Sequence, residues 1–149
     1  MITTEQIKKL RKETGISVMA CKKALEKTEG DFSKAILILR EEGANTANKK
    51  SDRALKAGII ESYIHNNRVV GVLVEARSET DFVARNQDFV SFAHDIAMHI
   101  AASAPTDVSD LLQQSYIKNP AVTINDYLKE MIQKFGENIE ISRFERYSV

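Results

Sequence analysis

The run Val69 to Ala76, VVGVLVEA, is apolar on both of its alternations, and a second apolar pattern follows within a few residues. There Phe89, Phe92, Ala93, Ile96, Ala97 and Ile100 recur at i, i+3, i+4, i+7, i+8 and i+11. The first pattern reads as a central, covered strand. The second is a full helical stripe able to lie on a sheet. Any fold for this chain must join these two elements through the short crossing between them.

The flanking segments extend the unit. Ile59 to Ile64 is a β-branched run, separated from the central strand by His65-Asn66-Asn67-Arg68. That spacing predicts a hairpin, with the Asn pair accepting positive φ. Thr123 with Asp126 opens a second helix carrying Ile124, Tyr127, Leu128, Met131, Ile132 and Phe135, closed by Gly136. Ile139 to Val149 reads as a third strand, a sheet edge guarded by exposed Arg143 and Arg146. The sum over residues 57–149 is an α+β domain, an antiparallel β-sheet with helices packed on one face.

The first forty-four residues carry different signals. Thr3 with Gln6 fits a capping box, and Gly15 ends that helix. Ser17 caps a second helix with Val18, Cys21 and Leu25 on one side. Gly30-Asp31 breaks and recaps the chain, Phe32, Ala35, Ile36 and Leu39 form a third helical edge, and Gly43 sits where a C-terminal cap belongs. Three short helices with tight glycine turns make a bundle of the ubiquitin-associated (UBA-like) type, with Cys21 as a buried structural thiol. Residues 45–56 are polar and read as a linker. A helix-turn-helix reading of the bundle is weak, because the candidate recognition helix has only Lys34 and Arg40 as cations.

Composition narrows the function. Lysine plus arginine equals aspartate plus glutamate at 21 each, so no basic field favours nucleic acid. No apolar run reaches membrane-spanning length and the N-terminus lacks a signal pattern, so a cytoplasmic location is expected. One cysteine excludes an internal disulfide framework. His94 and His99 are five apart, not the i, i+4 spacing of a helical metal pair, and read as flank residues. Neither a metal nor a cofactor is expected, there being no glycine-rich phosphate loop.

The crossing itself is Thr80-Asp81-Phe82-Val83-Ala84-Arg85-Asn86. Thr80 can cap a short helical turn, leaving Asp81 and Phe82 in its first positions. Pointed outward, the pair would offer a ring and a negative charge to a partner. The commoner fate of such a ring is to fold back onto the core beneath the junction.

At these residues the chain resembles translation elongation factor Ts, the guanine-nucleotide exchange factor for elongation factor Tu. One motif is Thr14-Gly15 followed by Cys21-Lys22-Lys23-Ala24-Leu25 and Gly30-Asp31. The other is Glu79-Thr80-Asp81-Phe82-Val83-Ala84-Arg85-Asn86 running into Asp95-Ile96-Ala97-Met98-His99-Ile100-Ala101-Ala102. Gly136-Glu137-Asn138-Ile139 and Arg143-Phe144 extend the likeness along nearly the whole chain. Family members usually have Asn-Cys where this chain has Arg77-Ser78, and Ala-Gly-Met-Met-Asp at Ile16 to Ala20. The chain is similar to a short form, without the helical hairpin insertion and second core copy of long members.

The resemblance implies a function in translation elongation without bond-making chemistry. Thr80, Asp81, Phe82 and Val83 would meet elongation factor Tu, Phe82 wedging between partner side chains while Asp81 helps displace the groups that hold Mg²⁺. Val18, Met19 and Lys22 would form a second contact from the N-terminal bundle. A sheet covered on one face only leaves the other for a homodimer through the C-terminal domain. Two rival readings are a UBA-like protein-binding module without exchange activity, and a hydrolase pairing Asp81 with His94 or His99.

Overall fold

The computed structural model describes all 149 residues. Strands β1 (Ala57–Ile64) and β2 (Val70–Ser78) form the expected hairpin, in the register Ala57↔Ser78 to Ile64↔Gly71. Strand β5 (Ile139–Ser148) pairs with the other side of β2, so the order is β1-β2-β5, antiparallel throughout. In the hairpin turn the left-handed residue is Arg68, φ 60°, rather than either asparagine. Asn67 instead spends its side-chain oxygen accepting from Val69 N at 3.1 Å, which moves the positive φ one residue on.

Helix α5 (Gln87–Ser103) lies across β1 and β2. All six residues of its predicted stripe are fully buried, and they meet Val72, Val74 and Ala76 of β2 in one core. The other face of the sheet is open: Ile60, Ile64, Leu73 and Tyr147 are exposed there. β2 is therefore central but covered on one side only.

Helix α7 (Ile124–Phe135) has the expected capping box, Thr123 with Asp126, and the left-handed Gly136 after it. Between α5 and α7 run a short helix, α6 (Val108–Gln113), and a small hairpin of β3 (Ser115–Tyr116) and β4 (Asn119–Thr123). No clear periodicity marks these, since elements of six, two and five residues are too short to carry a repeat. The hairpin buries Tyr116 against Tyr127, ring centroids 5.0 Å apart, and Asp95 accepts from Tyr127 Oη and Lys118 Nζ at 2.8 Å each.

His99 corrects the reading of both histidines as flank residues. His94 is half-exposed, but His99 is fully buried, its Nε2 2.9 Å from Gln114 Oε1 and its Nδ1 3.3 Å from the Ile117 amide. Burial holds its pKa below the ordinary imidazole value, partly offset by Gln114. Arg146 is not exposed as expected either; its guanidinium folds over to donate to Ala101 O at 3.0 Å.

Helices α1 (Thr4–Thr14), α2 (Val18–Lys27) and α3 (Phe32–Lys50) close on a small core of Leu10, Ile16, Cys21, Ala24, Leu25, Ala35 and Leu39. The caps at Thr3, Gly15, Ser17 and Asp31 are as read from the sequence. Gly43 is not a cap: α3 runs through it to Lys50. The reason is a seam with α7. Gly43 lies against Gln133, where an added Cβ would come within 2.5 Å of Oε1, and Ala47 one turn later enters the larger core. Lys50 Nζ completes the seam by donating to Gly136 O at 2.6 Å.

Candidate functional site

β2 ends on Ser78, which is fully buried and donates its hydroxyl to Thr80 O at 3.0 Å. Thr80 is extended, φ −124° and ψ 152°, and its Oγ1 accepts from Val83 N at 3.4 Å. That cap starts the four-residue helix α4 (Asp81–Ala84), and Asn86 then caps α5 by accepting from Asp88 N at 2.8 Å. Two helix starts so close together leave room for a single turn.

The turn has an inside and an outside. Val83 and Ala84 are buried in it, at 4% and 2% exposure. Asp81 and Phe82 point outward, and Phe82 is 85% exposed. Of six phenylalanines it alone is exposed. The ring is therefore not folded back on the core, the commoner reading of the sequence. Val83 differs from its expected role, because it anchors the turn from below and offers no free surface. Thr80, Asp81 and Phe82 remain together at the tip.

Charge surrounds the tip. Asp81 shares a shallow groove of about 470 Å³ with Lys56, Glu75 and Arg77. The Glu75 carboxyl is held below its ordinary range, first by the hydroxyl of Ser142 at 2.7 Å and then by Arg143 at 3.0 Å. Arg77 donates to Leu55 O at 2.9 Å and so ties the start of β1 to β2. Neither histidine reaches Asp81: His94 Nδ1 faces Glu61 at 3.9 Å and His99 is committed to Gln114 and Ile117. The acid–base pair a hydrolase needs is not assembled.

From beneath, the turn is bonded to the junction of α7 and β5. Glu137 Oε1 accepts from Glu79 N at 3.1 Å and Thr80 N at 3.0 Å, and its Oε2 accepts from Thr80 Oγ1 at 2.7 Å. Asn138 N donates in return to Glu79 Oε2 at 2.8 Å. Nothing in the spacing of these residues announces the contact. The only sequence signal was the Gly136-Glu137-Asn138 run after a helix end, to which no chemistry could be attached.

The N-terminal candidates sit on one face of α2. Val18, Met19 and Lys22 are exposed, Met19 at 75%, while Cys21, Ala24 and Leu25 face the bundle core, so Val18 does not share their side as its spacing suggests. Lys22 keeps a loose contact with Glu26 at 3.8 Å.

A family model described as "Elongation factor TS" matches residues 79–149, beginning at the residue before Thr80. Elongation factor Ts of Alkaliphilus oremlandii is 40% identical over 193 aligned positions, covering 99% of this chain and 89% of the relative. The chain belongs to the elongation factor Ts family. The elongation factor Ts of Carboxydothermus hydrogenoformans is likewise 40% identical, over the whole chain and 89% of the relative. That of Clostridium kluyveri is 45% identical over the whole chain, which spans 49% of it. Elongation factor Ts relatives thus come in two sizes. Even those of the shorter size align over more positions than the 149 residues present here, so they carry residues without a counterpart in this chain.

Proposed function

We propose that this chain is a guanine-nucleotide exchange factor for elongation factor Tu that promotes GDP release by disturbing the Mg²⁺ and phosphate site. The observation that carries the reading is the outward Phe82, on a capped turn beside Asp81, in a family named for translation elongation. An exposed aromatic on a rigid mount suits insertion into a desolvated pocket. Asp81 then arrives with its negative charge where the partner holds Mg²⁺. That ion demands near-ideal octahedral ligands, so small displacements weaken it sharply. A nucleotide site built on those ligands loses its hold when they move. No bond is made or broken, so the chain is not an enzyme in the chemical sense and needs no cofactor.

Val18, Met19 and Lys22 supply a second contact with elongation factor Tu from the N-terminal helices, read as a UBA-like bundle. The open sheet face supports a homodimer. Ile60, Ile64, Leu73 and Tyr147 are exposed together on a surface unsuited to water. A two-fold axis lets identical patches cover each other. The working location is the cytoplasm, in keeping with a translation factor; no helix is long and apolar enough to cross a membrane.

The test is release of fluorescent GDP from elongation factor Tu at rising concentrations of the chain. A saturating acceleration is expected. Tight association without acceleration would leave only a protein-binding module.

A further inference from the structure

We propose that Glu137 is a positioning residue for the exchange turn, its carboxylate fixing the direction in which Phe82 leaves the protein. The inference rests on the exchange reading above. It starts from a gap in the local sequence. In a capping box the side chain at the third helical position reaches back to the N–H of the cap residue. Gln6 does so for Thr3, and Asp126 for Thr123. At Thr80 that third position is Val83, which has no acceptor and is buried as the anchor of the turn.

Glu137 supplies the missing acceptor from 57 residues away: its Oε1 takes the Thr80 N–H at 3.0 Å and the Glu79 N–H at 3.1 Å. Its second oxygen sets the cap itself. A threonine hydroxyl has one proton and two lone pairs. Donated to Glu137 Oε2 at 2.7 Å, that proton is committed, and a lone pair is left to accept from Val83 N. Bonds to an ionised acceptor are roughly twice as strong as neutral ones.

The junction that carries Glu137 is itself immobilised. Asn138, 3% exposed, donates its amide to Ser51 O and Arg53 O at 3.3 and 2.9 Å, and Lys50 holds Gly136 O. The end of α3, the Glu137 carboxylate and the tip of the turn form one continuous bonded path. Without the carboxylate the turn stays folded on Val83 and Ala84, but the bearing of Phe82 is no longer fixed. Misplacement of about 1 Å can cost on the order of a hundredfold in a rate that depends on aligned groups.

Glu137→Ala, Glu137→Gln and Glu137→Asp, in the full chain, test this by two readouts. The first is the saturating rate of fluorescent GDP release from elongation factor Tu, separated from the half-saturating concentration. Glu137→Ala is expected to lower the saturating rate about tenfold or more while half-saturation shifts less than about threefold. Glu137→Gln keeps one acceptor at full reach and should fall between. Glu137→Asp keeps the charge but is one methylene short, and should resemble the alanine variant. The second readout is amide hydrogen exchange of the free protein, where Glu79, Thr80 and Val83 should lose protection in Glu137→Ala. A lowered melting temperature with an unchanged saturating rate would overturn the proposal, and so would full activity in Glu137→Asp. Should the wild type release no GDP, the exchange reading falls by itself. The amide arm then decides whether Glu137 holds the turn, and unchanged protection overturns that too.

Discussion

Phe82→Ala separates a working ring from a structural one. With 85% of its surface free, Phe82 has almost nothing to lose from the fold. Folding stability should change by no more than about 0.5 kcal/mol, as for other exposed positions. Phe89 gives the contrast: fully buried, its truncation should cost about 3–5 kcal/mol. An interface that engulfs the Phe82 ring gains about 2–3 kcal/mol from it. If that gain is made only as the nucleotide site opens, its loss slows saturated GDP release about 30- to 150-fold. A contact made equally before and during release would raise the half-saturating concentration instead and leave the saturating rate alone. Stopped-flow release of fluorescent GDP from elongation factor Tu, with melting curves of the same preparations, reads both quantities. An unchanged saturating rate at unchanged stability would refute the wedge.

Asp81→Asn keeps the shape of the turn and removes its charge. Association should be near normal, the saturating rate lower, and the deficit should shrink once Mg²⁺ is chelated; identical kinetics at every Mg²⁺ concentration would remove the carboxylate from the mechanism. Leu73→Lys places a charge in the middle of the open sheet face, and sedimentation should show a wild-type dimer at micromolar concentration become a folded monomer. His99 makes a pH dependence. Because burial holds its folded-state pKa below the unfolded value near 6.5, the unfolded chain binds the proton first as pH falls. Its contribution to stability is therefore complete above about pH 6.5 and is lost as pH falls through the folded-state pKa. Melting temperatures from pH 8 to 5 should fall less steeply in His99→Gln.

Where one face of one element decides a residue's place, the sequence was readable. The stripe from Phe89 to Ile100 and the caps at Thr3, Ser17, Asp31 and Thr123 depend on neighbours within a turn or two, and they stand as read. Gly43 was misleading because its meaning is set by Gln133, in another helix. Without a side chain it looks like a stop signal, yet it is the close-approach point of the α3–α7 seam. His99 lies beside the helical stripe and carries a polar ring, and only Gln114 at the end of α6 and Ile117 in the hairpin beyond it provide the partners that let it be buried. Phe82 was ambiguous for a related reason. Its direction follows from Val83 and Ala84 taking the inward side and from Glu137 holding the cap, and that carboxylate lies 57 residues away.

Reciprocity between the chain and GDP tests the central claim most directly. If the chain loosens GDP by opening its site, GDP must weaken the chain by the same factor. Calorimetric titration of elongation factor Tu with the chain, with and without saturating GDP and Mg²⁺, measures that factor. The expected result is weaker binding in the presence of GDP, by the factor the chain takes from GDP affinity, with both factors reduced together in Phe82→Ala. Binding of equal strength with and without GDP would contradict it.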